Sequence, residues 1–395
     1  MTIARGELPA DVANRVDQFR NEAIAVRRDL HAHPELGWHE VRTTELLQRR
    51  LTEAGLSPQV LPTGTGLICD IGSGDTCVAL RADIDALPVR DGVPSPYRST
   101  VEGVAHACGH DVHTAALLGA GLALAGLAKD GGLDRRVRLI FQPAEEVIPG
   151  GALGVIAAGG LEGVHRIYGL HCDPRLEVGQ VGLRTGALTA ASDRILVRLS
   201  GPGGHTSRPH LTADLVYALS TVVTELPAAL SRRVDPRAGL SLVWGRITAG
   251  SAANAIPSRG EAEGTLRCLD GDAWRTAAEM VPMLADQLVA PYGVEVDTEV
   301  THGVPPVVND AGAIEVFHNA VVQTLGSEAV AATDQSLGGE DFAWYLEHVP
   351  GAMARLGVRP AGTDTAADLH TSGFTPDEDA IALGTKVLTG CALLD

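Results

Sequence analysis

The sequence predicts an α/β fold with a mixed sheet, helices on both faces, and a second, smaller domain inserted into it. Three observations carry that reading. Short and almost wholly apolar strands, CVALRAD (77–83), VRLIFQP (137–143) and RIYGLH (166–171), alternate with helical stretches. From about residue 190 the texture changes to half-buried strands. Past residue 303 the first texture returns and runs to the end. At about 150 residues per domain, 395 residues suggest two or three domains.

Each element has its own signal. Two amphipathic helices open the chain, at about 10–32 and 39–54. The run AALLGAGLALAGLA, Ala115 to Ala128, lies within a helix of 112–128. It is shorter than the ~20 residues a membrane span needs and reads as a buried core helix. In the insert, Ile195, Val197 and Leu199 alternate with Arg194, Arg198 and Ser200. Leu215, Val216, Leu219, Val222, Val223 and Leu226 then follow helical spacing. The strands LSLVWGRIT (240–248) and GEAEGTLRCL (260–269), a helix through Trp274, Val281 and Leu288, and the strand VEVDTEV (294–300) complete it. Pro282 predicts a kink in that helix. The order βαββαβ is a ferredoxin-like unit.

Composition excludes several classes. There are 31 basic and 49 acidic residues, a formal net charge of −18, and lysine occurs only at 129 and 386. An acidic chain without clustered cations is a poor candidate for nucleic-acid or anionic-membrane binding. No signal-peptide pattern opens the chain, so the expected location is cytoplasmic. Six cysteines at irregular, wide spacing are expected to be free thiols rather than a disulfide framework. A GxGxxG after a strand, a GxxxxGK[ST], a GxSxG and an HExxH are all absent; HEVRT at 39–43 fails at its last position.

What remains is a set of polar clusters near strand ends. Ligand sites in such sheets lie at the carboxyl ends of strands, which puts Asp83 to Asp85, Gln142 to Glu146 and His171 on one rim. HACGHDVHTA (106–115) packs a thiol, an aspartate and three histidines into eight residues. Cys108 and His110, two apart in a loop, can converge on one cation, and thiolate with imidazole suits zinc-like metals. Taken alone, Cys-x-His is more often a helix cap and a buried thiol than a metal site.

FQPAEE (141–146) ends a strand with adjacent carboxylates. Such a pair repels unless a cation or a shared proton stabilises it. In a loop the two side chains diverge, so one can ligate metal while the other faces a substrate water. His171 in GLHCDP and His370 in DLHTSGF add ligands. Asp83 and Asp85 in RADIDALP can orient a ligating histidine. Five candidate ligands from four segments suffice for two metals. In the insert, GPGGHTSRPH (201–210) places His205 after a Gly-rich turn, with Asn254 in NAIP and Arg267 as further polar candidates.

With RRDLHAHPELGWHE, RADIDALP, HACGHDVHTA, FQPAEE, GLH, GPGGHTSRPH, SAANAIP, GGEDFAWY and DLHTSGF in this order, the chain resembles the di-metal amidohydrolases. These include hippurate hydrolases, bacterial N-acyl-amino-acid amidohydrolases and auxin-conjugate hydrolases, kin of the aminoacylases and carboxypeptidases. The match runs from about Arg27 to Asp379.

The resemblance implies a catalytic domain in two parts, 1–188 and 303–395, and an inserted lid of 189–302 that makes a homodimer, with a tetramer as the alternative. It implies two divalent ions, zinc or manganese with cobalt or nickel also compatible, held by Cys108, His110, Glu146, His171 and His370. It implies Glu145 as general base and then acid, and His205 as polariser of the scissile carbonyl, often supplied by the other subunit. Asn254 and Arg267 match lid residues near substrate or the dimer contact. Glu340 and Asp341 support the ligands from behind. The implied reaction is hydrolysis of an N-acyl amino acid. The alternatives are a dipeptidase or carboxypeptidase on the same scaffold, a metal-loaded peptide-binding module, and a Cys108 nucleophile paired with His110. Thr206, Ser207 and Arg208 after the lid histidine, and Val147 and Ile148 after the glutamates, depart from the small residues common in relatives.

Overall fold

The computed structural model describes Leu8 and residues 12–395; the residues before Val12 in the first expected helix lie outside them. The first stretch of chain forms α1 (Val12–Ala32), α2 (Val41–Glu53), β1 (Gln59–Val60), β2 (Leu67–Ile71), β3 (Cys77–Asp83), α3 (His110–Lys129), β4 (Arg136–Gln142), α4 (Ala152–Ala157), β5 (Val164–Glu177), β6 (Val181–Leu183) and β7 (Gly186–Ala187). Next come β8 (Ala191–Ser200), β9 (Gly204–His205), α5 (Leu215–Ser231), β10 (Ser241–Ala249), β11 (Ala255–Ile256), β12 (Arg259–Cys268), α6 (Gly271–Val289) and β13 (Glu295–Val304). The last are β14 (Val308–Asn309), α7 (Ala311–Leu325), β15 (Val330–Ala332), α8 (Ala343–Leu346), β16 (Gly351–Arg359) and α9 (Asp379–Leu394).

The chain divides into two units. The first holds the residues up to Gly186, Val308–Asp334 and Asp341–Asp395; the second holds Ala187–Val307 and Gln335–Glu340. The short segment Gln335–Glu340 joins the second unit through specific bonds. The Ser336 amide donates to the Leu188 carbonyl, Gln335 to the Ala187 carbonyl, and Arg267 to the Leu337 carbonyl.

The first unit is built on an eight-stranded mixed sheet, ordered β1-β2-β4-β3-β5-β16-β6-β15. Its central strands β4, β3, β5 and β16 are parallel neighbours. All of β3 is buried, as the apolar run CVALRAD requires of a strand covered on both faces. Its alternate residues Val78, Leu80 and Ala82 join the core cluster that includes Leu30, Leu117, Leu124 and Leu388 from the helices. On the other face, Gly169 of β5 packs close to the ring of Phe342.

The helix α3 is buried on nearly all sides, as its continuous apolar composition demands. It has the length and hydropathy of a membrane span, but 89% of that window is packed inside the protein. Gly109 caps it at φ +86°, and a Cβ there would lie 2.7 Å from the Cys172 Sγ. Both the left-handed backbone and the close approach require glycine. All six cysteines are unpaired and buried.

The second unit is a four-stranded antiparallel sheet, ordered β10-β12-β8-β13, with a small β9–β11 ribbon. Ile195, Val197 and Leu199 of β8 pack beneath α5 and α6 in one core. Arg194 and Arg198, at the alternate positions, pair across strands with Glu263, Asp297 and Glu299. Asp214 and Asp270 cap α5 and α6 by accepting the Tyr217 and Ala273 amides. The helix α6 runs through Pro282 as one element, and α5 through Pro227.

One buried ion pair ties α1 to the start of α3. Arg27 Nε lies 2.8 Å from the Asp111 carboxylate, both side chains almost fully buried, and His31 Nδ1 lies 2.8 Å from the same oxygen. Removing one partner of such a pair leaves the other charge buried alone. Asp111→Ala is therefore expected to destabilise the protein by about 3–5 kcal/mol, read as a lower denaturant midpoint. An unchanged midpoint would show that the pair does not hold these helices.

Candidate metal centre

The carboxyl ends of β3 and β4 and the rising part of β5 form one rim, since Asp83 pairs in register with Gln142 and Arg81 with Gly169. On that rim the structure brings together Cys108, His110, Glu145, Glu146, His171 and His370. The Cys108 Sγ lies 3.6 Å from His171 Nε2 and 3.3 Å from His370 Nε2. His370 Nε2 lies 3.2 Å from a Glu146 oxygen. His110 Nε2 stands 3.8 Å from oxygens of both Glu145 and Glu146. Ligand atoms of Cys108, His110 and His171 lie mutually within 4.8 Å, as do those of Cys108, Glu146 and His370 and those of His110, Glu145 and Glu146.

Hydrogen-bond logic settles which nitrogen of each histidine is available. His171 Nδ1 faces the Cys172 carbonyl at 2.8 Å, and a carbonyl can only accept. Nδ1 therefore donates, leaving the lone pair on Nε2, toward Cys108. His110 Nδ1 faces the Asp85 carbonyl and carboxylate at 3.0 and 3.1 Å and must donate too. Its Nε2 is buried without a hydrogen-bond partner. A buried nitrogen without a partner, facing a thiol and two carboxylates, suits a cation that would stand where its proton does.

His113 sits within reach of this cluster but is already satisfied. Its Nδ1 is 2.6 Å from Asp83, and its Nε2 accepts the Cys172 amide at 2.8 Å. It links β3 to β5 and holds the backbone beside His171. Sequence reasoning assigned it no role. The signal was its spacing three residues after His110, which puts both rings on one helix face.

The two aspartates of RADIDALP divide their work. Asp85 orients His110 and accepts the Glu146 amide at 2.9 Å. Asp83 holds His113 and pairs with fully buried Arg81, which also reaches Gln142 and Asp341. Asp341 further accepts from Gln142 and the Ala152 amide. Glu340 is counted with the second unit.

The electrostatics follow the burial. Burial alone would raise the Asp83 carboxyl, but His110, His113 and Arg81 hold it well below the carboxylate range. Burial opposes a charged His110, yet Asp83, Asp85 and Glu146 push it up to about 10. Burial, then Glu146, Glu145 and Asp83, push the Cys108 thiol well up. Burial, then Arg355 and His113, keep His171 neutral, the form that ligates. This is a pocket of negative potential, and a bound cation would reverse the thiol's preference.

In the second unit, His205 is exposed on β9 opposite Ala255, and the Asn254 carbonyl accepts the Thr206 amide at 3.3 Å. Arg267 is not brought to them. It pairs in register with Ser192, whereas Arg259, at the other end of β12, pairs with Ser200. Eight residues at ~3.4 Å separate those ends by about 27 Å.

A parallel-sheet rim that gathers a thiol, imidazoles and carboxylates is a candidate metal centre, and the family and relatives the chain matches make it a metal-dependent amidohydrolase. The model of peptidase family M20/M25/M40 matches residues 79–393. The chain is 39% identical to the N-acetyl-L-cysteine deacetylase of Bacillus subtilis, over 92% of its own length and 85% of that protein. It is 49% identical to a Rhodococcus jostii protein named putative glutamate–cysteine ligase 2-3, over 93% of its length, but spans only 46% of that longer chain. The crystal structure of the Bacillus subtilis YxeP protein, a dinuclear metal binding peptidase from the M20 family, superposes with a TM-score of 0.83 at 33% identity, covering 96% of this chain and 98% of that one. The chain belongs to peptidase family M20/M25/M40, and its donor set suits two divalent cations.

Asp85→Ala removes the group that orients His110 and is expected to weaken metal affinity about 10–100-fold. Cys108→Ser is expected to lower the ion content retained after dialysis, measured by elemental analysis. Wild-type stoichiometry in Cys108→Ser would remove the thiol from the centre.

Proposed function

We propose that the chain hydrolyses the amide bond of N-acyl amino acids, including N-acetyl and hippurate-like conjugates. The observation that carries this reading is the pair Glu145 and Glu146. Both point an oxygen at His110, and Glu146 also meets His370. That supports Glu146 as a ligand, and we assign proton transfer to the adjacent Glu145. The named activity of the deacetylase relative supports the substrate class.

Cys108, His110, Glu146, His171 and His370 would hold the metals. Zinc or manganese suits this mixed sulfur, nitrogen and oxygen set, and cobalt or nickel is also compatible. When bound, the two ions supply Lewis acidity and lower the pKa of water at the site. Glu145 takes a proton from the attacking water and returns it to the leaving amine nitrogen. The products are a carboxylic acid and a free amino acid, so atoms and charge balance.

His205 polarises the scissile carbonyl. Its Nδ1 accepts the Ser207 amide at 3.1 Å, which leaves Nε2–H as the donor such a role needs. The chain works as a homodimer through its second unit. The strand β10 ends the sheet there and exposes Val243 and Ile247, an apolar strand edge that isolated domains avoid. Six unpaired buried thiols favour a cytoplasmic setting.

The test is amine release from N-acetyl, N-benzoyl and indole-acyl amino acids and from free dipeptides, with and without chelator. Chelator-sensitive turnover of the acyl amino acids is expected; turnover of dipeptides alone would replace this reading with a dipeptidase. Glu145→Gln is expected to keep its ions and lose at least about 100-fold in kcat. Near-normal turnover in that variant would remove Glu145 from proton transfer.

A further inference from the structure

The loop that carries the two glutamates is held by a second loop that the mechanism above does not use. Residues 35–40 cross beside it. The Glu35 carbonyl accepts the Ala86 amide, next to Asp85. Gly37 lies so close that a Cβ would meet the Val147 side chain at 2.7 Å and the Ala144 Cα at 3.2 Å. Glu40, fully buried, accepts the Ala144 amide at 2.7 Å, and its own carbonyl accepts both the amide and the hydroxyl of Thr44 at the start of α2.

Ala144 needs such a hold. Its φ is +53°, a left-handed conformation that an alanine adopts only against a cost of about 1–2 kcal/mol. Its carbonyl accepts the Gly151 amide at 3.0 Å, closing the loop behind the glutamates. The two amides that flank Glu145 are therefore each bound by a buried carboxylate. Ala144 N–H goes to Glu40, and Glu146 N–H goes to Asp85.

We infer that Glu40 is a positioning residue for Glu145: by holding the Ala144 amide it fixes the strained backbone that aims the general base, while Asp85 separately fixes the ligand Glu146. This rests on the proposed hydrolysis only for its kinetic readout. Burial, against the bonds from backbone amides, pushes the Glu40 carboxyl up to about 7. What the Ala144 amide meets is an oxygen acceptor, which a neutral amide of the same reach also supplies. A displacement of about 1 Å at a reacting group lowers a rate about 100-fold.

The experiment compares Glu40→Gln, which keeps an oxygen of the same reach, with Glu40→Met, which keeps the volume and has none. Each is measured for ion content, kcat, KM and hydrogen exchange of the 143–150 segment. In Glu40→Met the Ala144 amide exchanges faster and kcat falls about 100-fold, with ion content at the wild-type level and KM little changed. Glu40→Gln rescues both exchange and kcat. If Glu40→Met does not fold, Glu40→Asp, one methylene shorter, is expected to show the same faster exchange. Unchanged exchange at Ala144, a wild-type kcat in Glu40→Met, loss of bound ions in Glu40→Met, or equal loss in Glu40→Gln would each overturn the inference. Absence of acyl-amino-acid turnover in the wild-type protein would count against the proposed reaction instead, and the exchange measurement would still decide the role of Glu40.

Discussion

Carboxylates buried at the end of a parallel sheet have to be paired, and the arrangement around the rim follows from how that is done. Asp83, Asp85, Asp111 and Asp341 are all inaccessible to water. An unpaired charge there would be untenable, so each is met by a histidine ring, a guanidinium or backbone amides. Arg81 answers Asp83 and Asp341, His113 answers Asp83, His110 answers Asp85, and Arg27 with His31 answers Asp111. Asp85 thereby orients His110 and Asp83 orients His113, while the Cys172 carbonyl orients His171. His110 Nε2 then faces the glutamates and His171 Nε2 the thiol. Stability and ligand geometry are thus one network.

Backbone strain gathers at the same place. Among the described residues, three non-glycine positions have positive φ: Trp38, Ala144 and His370. His370 is itself a candidate ligand, Ala144 precedes the glutamate pair, and Trp38 sits in the loop packed against that pair. Such conformations persist only where the surroundings over-determine them. Here the restraints are visible: the His370 amide donates to the Ala107 carbonyl at 2.8 Å, and the Ala144 amide donates to Glu40. The loops that carry chemistry are held by bonds from buried neighbours.

The second unit follows a different logic. Its sheet is apolar on one face and charged on the other, and its stability comes from α5 and α6 closing the apolar face. Asp193 anchors it from within, accepting from the Trp274 indole, His302 and the Gly303 amide. Histidine and asparagine candidates at one end of this sheet and the arginine at the other therefore cannot act as one cluster within the unit.

The α/β class, the buried helix α3 and the βαββαβ insert were legible in the sequence because burial dictates them directly. A strand covered on both faces must be apolar throughout, and a half-buried one must alternate. The candidate site residues were legible for a related reason: Cys108, His110, Glu145, Glu146 and His171 lie at strand ends or just before a helix, where local position already decides exposure to the rim. At Pro282 the helix continues, since packing of α6 on the sheet carries it through one missing hydrogen bond.

What only the tertiary structure decided are the pairings between residues far apart in the chain. Asp83 belongs to His113 while Asp85 belongs to His110, Glu40 meets Ala144, and Gln335–Glu340 joins the second unit. None of these has a local signature, because hydrogen-bond partnership depends on which segments the fold brings within about 3 Å. Residue type and spacing determine what a side chain can do; only the folded chain determines to whom it does it.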